Sequence, residues 1–98
     1  MIKEEARVQT EKASKYLVQM CKHFAHKVPV EFDEHSGTVD FKPGRCIMRA
    51  ENDLLVMSCE AAAEQEMARI KFILDKHLLR YAWREEIEIR WMVLPDGA

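Results

Sequence analysis

Apolar side chains recur every three or four residues in two segments of the chain and at alternate positions in much of the rest. Between Glu11 and Ala25 the apolar positions are Ala13, Tyr16, Leu17, Met20, Cys21 and Phe24. At about 100° per residue they fall in one stripe, which predicts an amphipathic helix with one face on a core. Thr10 offers the N-cap hydroxyl. Pro29 disfavours helical geometry at Val28, and Lys27 and the nearby histidines suit the negative end of the helix dipole. A second helix is predicted from about Ala61 to Tyr81, over an inward stripe of Ala63, Met67, Ile70, Leu74, His77, Leu78 and Tyr81.

The intervening chain reads with a period of two. Val28, Val30 and Phe32 point one way, with Glu31 and Asp33 the other, and His35-Ser36-Gly37 forms a turn. Val39 and Phe41 alternate with Asp40 and Lys42. Pro43-Gly44 is a central pair for a type II turn. Cys46, Met48 and Ala50 then alternate with Arg45, Arg49 and Glu51, while Ile47 breaks the polar set. After a turn at Glu51-Asn52-Asp53, residues 54–59 (LLVMSC) are apolar on both faces, which places this strand inside the sheet. Connections this short demand antiparallel neighbours, so the four strands form a meander. Residues 5–9 are a weak candidate for a short edge strand. The last strand is predicted from Ile87 to Val93, with Ile87, Ile89, Trp91 and Val93 inward, and Trp83 is expected to cover the corner before it.

The predicted fold is therefore α+β. Two helices pack on a mostly antiparallel sheet as a two-layer sandwich, in the order (β)-α-β-β-β-β-α-β. Ninety-eight residues make one domain, 1–98, with an ordered core over about 6–93.

Composition adds two things. A formal net charge of −2 gives no overall pull toward nucleic acid or acidic membrane. No run of about 18 apolar residues is present to span a bilayer, and the first residues carry no apolar leader, so a cytoplasmic location is expected. Charge is uneven, however: residues 1–27 hold six Lys and Arg against three acids. The wet face of the first helix, with Lys12, Lys15, Lys22 and Lys27, is a candidate face for an anion or an acidic partner. Nucleic acid is not expected there, because Tyr16 and Phe24 point to the core and offer no stacking platform.

Cys21, Cys46 and Cys59 are an odd, irregularly spaced set, which argues against a disulfide framework. Cys21-Lys22-His23-Phe24-Ala25-His26-Lys27 is the segment richest in metal-competent groups. On a regular helix Cys21 joins the buried stripe while His23 lies far round, so the two cannot grip one ion. His23 and His26, three apart, are a candidate half-site for iron or zinc; solvated histidines at a helix end are the alternative. Cys21 and Cys46 are weaker metal candidates and can meet in the core. No HExxH, CxxC, phosphate-binding glycine loop or nucleophile elbow occurs, so no catalytic residue is assigned. Phe72 and Leu79 lie almost opposite the core stripe of the second helix and are candidates for a homodimer interface.

Several runs together resemble the bacterial family catalogued as domain of unknown function 2218. They are Tyr16-Leu17-x-x-Met20-Cys21-Lys22-His23-Phe24-x-His26-Lys27, Glu31-Phe32, Gly37-x-Val39-x-Phe41, Gly44-x-Cys46-x-Met48-x-Ala50 and Leu78-x-Arg80-Tyr81-x-Trp83-Arg84. The likeness runs from about Ala6 to Trp91, with Met20 and Tyr81 standing where Leu and Phe are expected. The resemblance implies no activity and no catalytic residue. It does imply an association with siderophore-interacting flavin reductases, hence a non-enzymatic accessory or binding module in bacterial iron–siderophore metabolism, with such a reductase as partner. The alternatives are a homodimeric interaction protein without ligand and a small enzyme using Cys21 or Cys46 with a histidine.

Overall fold

The computed structural model describes residues 1–42 and 44–95. Its elements are β1 (Ile2–Gln9), α1 (Ala13–Phe24), β2 (Val30–Phe32), β3 (Ser36–Asp40), β4 (Gly44–Glu51), β5 (Leu54–Ala61), α2 (Glu64–Tyr81) and β6 (Trp91–Val93). The strands form one antiparallel sheet in the order β2-β3-β4-β5-β1-β6. The α+β class, the two helices and the β2-to-β5 meander agree with the sequence pattern. The type II turn read at Pro43-Gly44 includes Pro43, which lies outside the described residues.

Register explains which face the helices cover. Ala6, Met57, Met48 and Gly37 form one row across the sheet, and Val8, Leu55 and Ala50 another. Apart from Ala50, which is partly covered, these residues are buried. Leu17 and Met20 of α1, with Met67, Ile70, Leu74 and Leu78 of α2, close over them, each 0–1% exposed. Burial of each such side chain contributes about 1.5–3 kcal/mol. The opposite face is wet and charged, with ion pairs Arg7–Glu5 and Arg45–Glu60. Val56 lies on that face yet is fully buried. Its register neighbours are Arg7 and Arg49, whose aliphatic stems can shield it.

Several local expectations are corrected. The first strand spans eight residues and is interior, because β5 pairs along one side and β6 along the other. Only Trp91–Val93 of the last segment is a strand, and Val93 is 73% exposed where an inward position was predicted. Val93 pairs with Glu4 near the outer edge of the sheet. Ala63 is exposed, because α2 begins only at Glu64. Gly37 is not a turn residue; it sits within β3 under α1, and the turn before it is closed by Asp33 Oδ1, which accepts from the backbone N–H groups of His35 and Ser36. Phe32, at the end of edge strand β2, is 38% exposed. Trp83, expected to cover the corner before the last strand, is 71% exposed.

Candidate functional site

The start of α1 faces the end of α2. Thr10 is buried, and its Oγ1 accepts from Lys12 N (3.1 Å); it is not the N-cap expected from the sequence, because the helix begins at Ala13 with Lys12 as its cap and no side-chain cap hydrogen bond. The same hydroxyl donates to Glu85 Oε1 at 2.9 Å, and the Tyr16 hydroxyl donates to Glu85 Oε2. Burial and the Glu85 carboxylate push the Tyr16 phenol up to about 12, so it remains a neutral donor. The Tyr16 hydrogen bond holds the Glu85 carboxyl below its ordinary range, helped by the Thr10 hydroxyl and by Lys12 and Lys15.

Beside this node lies a cleft of about 260 Å³ lined by Lys12, Lys15, Tyr16, Gln19, Tyr81, Trp83 and Arg84. The Arg84 guanidinium stacks over the Trp83 ring at 4.7 Å. Gln19 Oε1 is buried and has no hydrogen-bond partner among the described residues. Three cations against the one Glu85 carboxylate leave the cleft positive. Larger depressions occur along the sheet, such as one of about 410 Å³ at Thr38, Arg45 and Glu60, but there Arg45 is already paired with Glu60 at 2.5 Å.

Further along the same pair of helices, His23 of α1 meets His77 of α2. His77 Nδ1 lies 2.7 Å from the Ile73 carbonyl oxygen, which can only accept, so Nδ1 carries the proton. Its Nε2 lies 3.1 Å from His23 Nε2. Phe24 packs edge-on against both rings, and Tyr81 stands beyond His77. Burial, then His77, Lys27, His26 and Arg80, push the His23 imidazole below its ordinary value.

The sequence candidates thus separate. His26 is exposed on the turn after α1, and His23 instead faces a histidine 54 residues away. Lys12, Lys15, Lys22 and Lys27 are all exposed, but only the first two reach the cleft. Cys21, Cys46 and Cys59 are free, buried thiols. Cys46 and Cys59 are register partners across β4 and β5, while Cys21 lies over Gly37. Burial pushes the Cys21 thiol up to about 11 and the Cys46 thiol well above its usual range, with Cys59 adding to the latter. Neither is the lowered-pKa thiolate that a cysteine nucleophile requires. No group of three or more His, Cys, Asp or Glu able to hold a metal occurs among the described residues. Phe72 and Leu79 point outward, 66% and 51% exposed.

Comparison with known families finds a match over residues 5–92 to the family described as "Uncharacterized protein conserved in bacteria (DUF2218)". The chain belongs to this family. A solved structure described as "NMR structure of PA4090 from Pseudomonas aeruginosa" is similar, at 33% identity over 94% of this chain and 96% of that one, with a TM-score of 0.81. No curated protein matches. For this DUF2218 chain, no helix among the described residues is long and apolar enough to cross a membrane.

Sequence reasoning found the α1 side of the cleft, Lys12, Lys15 and Gln19 on one wet face, and missed Tyr81, Arg84 and Glu85 as their partners. It also missed His77 as the partner of His23. The two sides of the cleft are separated by more than sixty residues, from Gln19 to Tyr81. The one legible signal was the run of lysines on the wet face of α1.

Proposed function

We propose that this chain is a non-enzymatic binding module that takes a small anionic ligand with a planar group in the cleft between α1 and the end of α2. The observation that carries this reading is the convergence of Lys12, Lys15 and Arg84 with Tyr81 and Trp83 around the unpartnered Gln19 carbonyl. The cations would hold a carboxylate or phosphate, the rings would flank a flat body, and Gln19 would accept from a ligand hydroxyl or amine. Buried, protonated thiols favour this reading over a cysteine enzyme.

Trp83 is the reporter, with Trp91→Phe removing the second indole. Benzoate, 2,3-dihydroxybenzoate and inorganic phosphate are the probes, together with the iron(III) complex of the catechol. The resemblance to proteins found beside siderophore-interacting reductases motivates that last arm. Saturable quenching by the free aromatic acids, at least tenfold weaker in Lys15→Ala/Arg84→Ala, supports an organic-anion site. Quenching by the iron(III) complex alone would support the iron link. No saturation by any probe at millimolar concentration removes the reading.

A second reading is self-association through α2. Phe72 and Leu79, seven residues apart on one helix face, are both more than half exposed. Leu79→Glu is expected to convert a dimer to a folded monomer in sedimentation velocity, and a dimer that survives the change rejects this interface.

A further inference from the structure

The contact between His23 and His77 is a bent hydrogen bond, not a linear one. A linear N–H···N contact at the observed 3.1 Å would place the ring centroids roughly 5.4 Å apart, one ring radius further at each end. The centroids are 4.5 Å apart, with the planes inclined at 43°. The two Nε2 atoms therefore lie side by side on converging rings rather than head to head. Two imidazoles bound to one ion at about 2.0–2.1 Å in cis or tetrahedral positions have nitrogens roughly 2.9–3.4 Å apart, a range that includes the observed separation.

We propose that His23 and His77 form a two-histidine site for a transition-metal dication such as Zn²⁺, Ni²⁺ or Cu²⁺, clasping α1 to α2. His77 is already oriented for this role: its Nδ1–H donates to the Ile73 carbonyl, so the lone pair of Nε2 faces outward toward His23. Metal-ligating histidines are commonly held by such a bond on the far ring nitrogen. Phe24 fixes both rings from the core side. Among the described residues the protein supplies these two nitrogens and no third group, so water or an anion fills the remaining positions. Lys27 and Arg80 lie near His23; their charge weakens cation binding and draws an anionic co-ligand. The site is separate from the cleft at Lys15 and Arg84, so either proposal can fail alone.

The test is titration of the untagged chain with Zn²⁺, Ni²⁺ and Cu²⁺ at pH 7.5, read by calorimetry and by imidazole ¹⁵N spectra of the four histidines. One equivalent is expected to shift the Nε2 resonances of His23 and His77 for Zn²⁺ and to leave His26 and His35 in place. Affinity is expected to be highest for Cu²⁺. His23→Ala and His77→Ala should each bind at least tenfold more weakly, and His26→Ala within twofold of the wild type. The proposal is overturned if no histidine shifts at millimolar metal, or if His26 shifts together with His23 while His77 does not. Retention of wild-type affinity by folded His77→Ala would equally reject it. Should that variant fail to fold, the spectra of the wild type still decide.

Discussion

Asp75 shows how one side chain trades burial against a hydrogen bond. Its Oδ1 accepts from Trp91 Nε1 at 2.9 Å, which ties β6 to α2, yet burial raises its carboxyl above the ordinary value more than Trp91 and Lys71 lower it. A carboxyl raised by the fold contributes less stability as pH rises through its titration. Asp75→Asn keeps the acceptor and removes the charge. It is expected to stabilise the chain at pH 7 by a few tenths of a kcal/mol after allowance for solvent screening, with the difference vanishing near pH 3 in urea titrations. Gly37 is a steric case. A Cβ there would lie 2.7 Å from Cys21 Sγ and 3.1 Å from Phe32 Cβ. Gly37→Ala should cost about 1–3 kcal/mol by overpacking, and Cys21→Ala should relieve part of that cost in a double-mutant cycle. An additive cycle would show that the strain lies elsewhere.

At the scale of elements, the join between α1 and α2 is polar where it reaches the surface and apolar beneath. The imidazole of His23 is easier to keep neutral in the folded chain than in the unfolded one, because burial disfavours its charged form and protonation would add a charge beside His77, Lys27, His26 and Arg80. The sign follows from linkage: this contribution is complete above the unfolded value of 6.5 and is lost as pH falls through the lower folded value. The urea midpoint should therefore decline below about pH 6.5. His23→Gln should flatten that part of the profile, and an unchanged slope would assign the decline to other groups. The β4–β5 ladder has its own tight point. A Cβ on Gly44 would press on the Glu60 carbonyl and come within 2.7 Å of Ile70 Cδ1. Gly44→Ala is accordingly expected to loosen the first residues of β4, seen as faster amide exchange at Arg45 and Cys46 than in the wild type.

For the whole molecule, the three thiols report on global opening. All lie in the core between sheet and helices, 0–2% exposed. Labelling by a neutral alkylating reagent should track unfolding, slow in buffer and rapid in denaturant, with Cys46 never ahead of the other two. A cysteine that reacts quickly in the native state would overturn this placement. The division between sequence and tertiary structure follows the range over which each signal acts. Periodicity of 3.6 and of 2 is local, so the sequence by itself determined α1, α2 and the meander from β2 to β5, whose short turns leave only antiparallel neighbours. It also determined that Tyr16, Met20 and Cys21 face inward and that Phe72 and Leu79 face out. It did not determine that β1 is interior. That depends on β5 and β6 pairing on either side of it, across intervals of more than forty residues. The same holds for both candidate sites. The lysines of α1 were legible as a charged face, but tertiary structure alone brought Arg84 and Trp83 to Lys15, and His77 to His23. Hydrophobic burial sets which faces meet, and the polar groups at their margins are carried together only once that packing is complete.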